Sequence, residues 1–413
     1  ATLEPGTGKL FGQAKVEWMN TSSHPLDALP VGLNRGLTII DITATHGALE
    51  AQPGGLWRLD PPLAPGSTTQ VRIAYHGTLV HARSNYQIQG TLREEPEEIR
   101  AYVGQDAAFL LRDADWYPFS SVAAPQRLEI TVPAAFPVVA TADQAVPSGN
   151  QQTFIWKSPQ GLPVPLLAAA ETYARSQLGD GNMAYLPEGY EETAKDIVRP
   201  FVHGARYLDR WLLGKARPVT IAAVPLITTV ASDPQSGILF LPEATFRRYA
   251  FTPGGDLSSA NEQYTRWAME ELGKAWWHGA RGAMDPCRSD TEGCDLARSL
   301  VSYWSLMAMD DLLPEEYTRL EIEARREALA AIQAGHIPAP ALPISTSAPH
   351  HLVLLLHDLR TAVGDEAFQQ IMRRYVSEER DNPVPISIET LADLVRRESG
   401  YDITPLLREY RVR

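Results

Sequence analysis

Trp267-Ala268-Met269-Glu270-Glu271-Leu272-Gly273-Lys274-Ala275-Trp276-Trp277 decides how this chain of 413 residues is read. As a helix, the run sets Glu270 and Lys274 one turn apart on a shared face, with Glu271 beside them. Trp276 and Trp277 read most simply as core residues. A helix that grips a tetrahedral metal ion needs two imidazoles at such i and i+4 places, as in His-Glu-x-x-His. A protonated lysine has no lone pair to offer, so Lys274 cannot take that role.

Three further segments extend this reading. Leu296-Ala297-Arg298-Ser299-Leu300-Val301-Ser302-Tyr303 follows the first run, separated from it by a polar loop between Pro286 and Cys294. Ala231-Ser232-Asp233-Pro234-Gln235-Ser236-Gly237-Ile238 precedes it. His350-His351-Leu352-Val353-Leu354-Leu355-Leu356-His357-Asp358-Leu359-Arg360 lies downstream and continues into Ala362-Val363-Gly364-Asp365-Glu366-Ala367-Phe368. In order and pattern these runs resemble the gluzincin zinc aminopeptidases, the family of alanyl aminopeptidase, and the resemblance covers most of the chain.

The resemblance implies that Glu270 and Lys274 stand at the two histidine places, that Arg298 stands at the place of the third ligand, a glutamate, and that Glu271 is retained. It also implies that Asp233, Pro234, Gln235, Ser236 and Gly237 mark the strand that flanks substrate, without the glutamate that anchors a free amine. Pro349 falls where the family has the tyrosine that steadies the oxyanion. A catalytically inactive relative is therefore expected, with no metal, no cofactor and no catalytic residues, kept as a module for binding a peptide or protein segment. The alternative is a metallo-aminopeptidase or other peptidase with a metal site not recognised in the sequence, and only then is zinc expected. Short members of the family can be joined to transporter permeases, which makes a structural part of a membrane-associated assembly, with a membrane protein as partner, a further expectation. Glu270, Glu271, Lys274 and Arg298 sum to zero charge, so a salt-bridge network in place of the ion is one expectation and side chains fanned into solvent the other.

The fold class that follows is α+β. An amino-terminal antiparallel, saddle-like β domain, residues 1–157, is expected before a thermolysin-like, mainly helical domain, residues 158–413. The second holds the degenerate zinc helix at about 258–278 and carboxy-terminal helices at about 314–413. Alternating runs at Leu33–Ile42 and Thr69–Gly77 read as strands of the first part. Val219–Val224 and Ile238–Leu241 read as strands of the second. Glu315–Ala334 reads as an exposed amphipathic helix ending at Gly335, with Leu320, Ile322, Leu329 and Ile332 apolar among many charges.

Composition sets wider limits. A net charge of -13 and the lack of a positive stripe of useful length argue against a nucleic-acid partner. No apolar run approaches the length of a transmembrane helix. The chain opens Ala1-Thr2-Leu3-Glu4-Pro5, so a signal peptide, an anchor or a larger amino-terminal part is expected to precede it. Cys287 and Cys294, the only two cysteines, share one polar loop. A disulfide there suits an oxidising, extracytoplasmic setting, secreted, periplasmic or membrane-anchored, and two free thiols are the other reading. Pro5-Gly6-Thr7-Gly8-Lys9 ends like a phosphate loop, but Leu10 replaces the Ser/Thr that would meet a magnesium ion. No Gly-x-Ser-x-Gly elbow is present. His350 and His351 point about 100° apart on a helix and read as solvated or capping residues, and His278 reads as structural.

Overall fold

The computed structural model describes residues 1–79, 100–111, 114–118, 126–158, 166–213, 218–227, 230–233, 236–250, 264–273, 292–310, 316–335, 350–381 and 387–410. It is an α+β fold, with an amino-terminal antiparallel β part followed by a mainly helical part.

The first part rests on a seven-stranded sheet ordered Gln144–Ser148, Gln151–Ser158, Gln126–Pro133, Thr2–Glu4, Lys9–Met19, Thr68–Gly77 and Leu37–Ala44. Its longest pairing runs antiparallel from Leu10 opposite Gly77 to Met19 opposite Thr68. Alternation does the sorting: Thr69, Val71, Ile73 and Tyr75 point inward and are buried, joining Leu3, Leu10, Ile130 and Trp156 in one core. The strand expected from Leu33 begins at Leu37. Asn34 makes a turn first, its side-chain oxygen accepting from Gly36 N at 3.0 Å and its carbonyl from Leu37 N at 2.9 Å, which takes backbone groups away from the ladder.

A five-stranded sheet opens the second part, ordered Tyr173–Gly179, Asn182–Pro187, Thr220–Val224, Ile238–Pro242 and Ala231–Asp233. Its three middle strands are parallel, and Thr220–Val224 and Ile238–Pro242 read as nearly continuous apolar runs because both faces are covered. Ile221, Ala223, Leu239 and Leu241 face the helices. Ala222, Val224, Ile238 and Phe240 face Phe109, Val139 and Ala168 of a four-stranded sheet formed by Val138–Ala140, Leu167–Ala170, Ala107–Leu110 and Ala101–Val103. Strand Leu167–Ala170, past the expected boundary at 157/158, thus hydrogen-bonds with strands from before it.

The helices are α1 (Glu191–Leu213), α2 (Glu243–Ala250), α3 (264–273), α4 (Glu292–Met309), α5 (Glu316–Gln333), α6 (His350–Val363), α7 (Asp365–Asp381), α8 (Ile388–Ser399) and α9 (Thr404–Glu409). α4 is the hub, packed on α1, α5 and α6, and is buried nearly throughout. α5 has the expected span, yet its sheltered face is only partly apolar: Glu321 and Arg325 are buried beside Ile322, while Leu320 and Ile332 are about half exposed. Among the described residues no helix is long and apolar enough to cross a membrane.

Candidate functional site

α3 is positioned by its apolar side. Tyr264, Ala268, Met269 and Leu272 recur at helical spacing and are all buried. Gly273 permits close approach to α4, since a Cβ there would lie 2.9 Å from Ser305 Oγ and 3.1 Å from Val301 Cγ1. Ser305 seals this contact by donating to the Met269 carbonyl at 3.0 Å. The charged side of α3 is therefore held against α4 and α5 rather than turned outward.

On that side lies a ladder of ion pairs. Arg266 Nε meets Glu270 Oε1 at 3.4 Å, one turn on, and Arg266 Nη2 meets Glu321 Oε1 of α5 at 3.4 Å. The same Glu321 oxygen lies 3.3 Å from Arg325 Nη2, which also donates to Ser302 Oγ of α4 at 3.2 Å. Side-chain exposure falls along the ladder from 20% at Glu270 and 12% at Arg266 to 2% at Glu321 and 1% at Arg325. Burial pulls both guanidinium pKa values down. At Arg266 the carboxylates of Glu321 and Glu270 outweigh it and the net shift is upward, whereas at Arg325 desolvation wins. Arg325 Nε and Nη1 are buried with no hydrogen-bond partner.

The other expected site residues fall as follows. Arg298, partly exposed on α4, pairs with Asp295 at 3.5 Å. Glu271 is half-buried on α3. Lys274, Trp276, Trp277, His278, Pro234, Gln235, Pro349 and Cys287 lie outside the described residues. Cys294 opens α4, but its side chain is not described, so the expected disulfide also lies outside. Asp233 ends the edge strand, opposite Ile238. Ser236 and Gly237 form the turn between the two strands, Gly237 at φ +71° with the place of a Cβ only 2.6 Å from Pro218 O. Any other residue at 237 is strained, so a bulky substitution there perturbs the sheet itself.

Of the two readings for the histidines that open α6, solvated or capping, burial disfavours the first. His350 and His351 are half-buried rather than solvated, and burial first of all lowers both pKa values. Arg325 pushes His350 further down, whereas Asp295 opposes the shift at His351. His357 faces Tyr303 of α4, Nδ1 to Oη 3.4 Å, in a pocket where burial lowers the imidazole and raises the phenol to about 12. Arg360 grips Asp365 through two bonds of 2.7 and 3.1 Å and stacks over Trp211 at 5.4 Å.

Compared with known proteins, the chain matches no protein-family model and no curated protein. Solved structures do match. An M1 zinc metallopeptidase mutant from Deinococcus radiodurans, bound to a Tyr-Ser-Ala substrate, aligns with a TM-score of 0.57 and 17% identity over 99% of this chain and 91% of that one. Another structure of the M1 zinc metallopeptidase from that organism gives 0.56 and 18% over 99% and 90%. A two-domain M1 zinc metallopeptidase mutant bound to L-tryptophan gives 0.56 and 18% over 99% and 91%. The chain thus has the aminopeptidase-like fold of the M1 zinc metallopeptidases.

Those structures are of zinc metallopeptidases, and the resemblance assigns two of their ligand places to Glu270 and Arg298 of this chain. Glu270 is engaged by Arg266, and Arg298 is a cation paired with Asp295, able to donate but not to coordinate. Among the described residues no group of three or more His, Cys, Asp or Glu side chains is placed to hold a metal ion.

Proposed function

We propose that this chain is an aminopeptidase-like module without peptidase activity, acting outside the cytoplasm by binding a peptide or protein segment or as a structural part of a membrane-associated assembly. The observation that carries the reading is the use of Glu270: at the first ligand place its carboxylate closes a pair with Arg266, and that arginine leads on to the buried Glu321. In this reading the ladder of ion pairs engages the carboxylate that would otherwise be open to a metal ion. Ala231–Asp233, the outermost strand of its sheet among the described residues, supports the binding half of the proposal, because a free sheet edge accepts an added strand whether or not chemistry follows.

The test is metal analysis of the purified chain together with hydrolysis of aminoacyl reporter substrates, with and without added zinc and chelator. Well below one zinc per chain and no chelator-sensitive turnover are expected. One zinc per chain with chelator-sensitive cleavage overturns the proposal and establishes a metallo-aminopeptidase. Peptide binding is tested by screening a peptide library against the parent and Ser236→Trp, which fills the turn beside the edge strand without the backbone strain of a change at Gly237. Binders lost in the variant are expected, and a screen without binders leaves only the structural role.

A further inference from the structure

A second surface lies along α1. Lys195, Arg199, Arg206 and Arg210 of α1 are spaced by four, seven and four residues, so they share one helix face. They line an open groove of about 700 Å³ beside the hairpin made by Tyr173–Gly179 and Asn182–Pro187, together with Leu178, Val198 and Val202. This is a positive stripe that a scan for contiguous basic residues passes over, and it corrects the expectation that the chain has none of useful length. Asp196 also lines the groove, and Asp180 holds Arg206 at 2.6 Å. Four cations thus meet two carboxylates in a chain whose net charge is -13.

Helix electrostatics does not explain the stripe. A cation in the last turn, where Arg210 sits, complements the macrodipole, but Lys195 and Arg199 stand in the first half of the helix, where that effect offers nothing. We propose that the groove is a docking site for an acidic segment of a protein partner, one that also carries apolar side chains to meet Leu178 and Val202. The proposal is independent of what has become of the site on α3. An anionic membrane is the poorer occupant, since a membrane-surface helix lays apolar residues into lipid and the apolar side of α1, Ile197, Phe201, Ala205 and Leu208, is already spent in the core. Nucleic acid is disfavoured by the two carboxylates set among the cations. α1 is also a firm platform: Arg373 of α7 donates to the carbonyls of Trp211 and Arg210 at 2.7 and 2.8 Å.

The experiment is fluorescence anisotropy on the full chain with a labelled peptide of Glu-Glu-Leu repeats, about 15 residues long, enough to span about 22 Å as a helix. Because the protein as a whole repels such a probe, binding reports on the stripe. The expected result is saturable binding that weakens about tenfold or more from about 0.05 to about 0.5 M salt and by a similar factor in the Lys195→Glu, Arg199→Glu double variant. Both positions are exposed, so unchanged melting of the variant separates lost binding from lost fold. Absence of binding, or equal binding by parent and double variant, overturns the proposal. So does capture of phosphatidylserine vesicles or duplex DNA by the parent when the acidic peptide is ignored.

Discussion

Arg325 with Glu321 on α5 and Arg58 with Glu50 across two strands of the first part are the same chemical pair in opposite surroundings. The first pair is 1% and 2% exposed, the second 58% and 62%. On the strands, Glu50 and Arg58 face each other in register, and water solvates both whether or not they touch. On α5, two charges have left water, and Arg266 and Ser302 help to repay the cost. Repayment is incomplete, since two buried nitrogens of Arg325, Nε and Nη1, have no hydrogen-bond partner. A buried pair of this kind is a poor source of net stability but a strong constraint on geometry. Glu321 can satisfy both arginines only if α3 and α5 keep one relative position.

The largest effect is therefore expected from breaking the buried pair on one side. Glu321→Ala strands Arg325 and removes the inner partner of Arg266, and should cost about 3–5 kcal/mol, read from the shift of the urea midpoint. A loss below about 1 kcal/mol would place the ladder on a level with the surface pair and erase the comparison. Removing both charges sharpens the point. Glu321→Leu combined with Arg325→Met should recover most of that loss, because two apolar side chains of similar size need no solvation. If the double variant is as unstable as the single one, the charges are worth more than their geometry suggests.

How much of this was legible beforehand differs between the two regions. Thr69–Gly77 and Ile238–Leu241 were readable because strand alternation and continuous apolar runs state their own burial. The span of Glu315–Ala334 was readable for the same reason. The identity of its partners was not. Both i,i+4 pairs of the ladder, Arg266–Glu270 and Glu321–Arg325, stand in the sequence, but helical period gives phase without saying which faces meet. Reading Glu270 forward to Lys274 hid the pair that runs backward to Arg266. Charged residues on a helix are exposed by default, so nothing local marked Glu321 and Arg325 as buried. The resemblance in turn indicated where a metal site stands in the family, not which partner Glu270 has in this chain.

Acid should separate the two regions next, with a smaller effect than loss of Glu321. His350, His351 and His357 have pKa values lowered chiefly by burial. Around them, Arg325 acts with burial on His350 against Glu321, and Arg326 and Arg360 act with it on His357 against Asp358 and Asp310. Unfolded, each imidazole takes up a proton near its ordinary pKa of about 6.5. Folded, each does so only at lower pH, so the unfolded state binds more protons in between. The stability they contribute is complete above about pH 6.5 and is lost as pH falls toward the folded values. The melting temperature should drop between about pH 7.5 and about pH 5.5, and His357→Asn should flatten part of that drop. A flat profile in the parent would show these rings to be solvated. Asp365, lowered by its hydrogen bonds to Arg360, adds a separate loss only below the ordinary carboxylate range.

The smallest effect is expected at Arg58. It pairs with Glu50, but each side chain is more than half exposed, and holding two long side chains together costs rotamer entropy that weak attraction in water barely offsets. Arg58→Ala should change stability by less than about 1 kcal/mol, and raising salt should shrink even that, because exposed charges are screened over about 10 Å at 0.1 M. The informative measurement is a pair of urea curves, at about 0.1 M and about 1 M salt, for Arg58→Ala and Glu321→Ala side by side. The surface variant should converge on its parent as salt rises and the buried one should not. If both converge, water reaches the α3–α5 ladder, and the constraint it places on α3 is lost along with the distinction between the two regions.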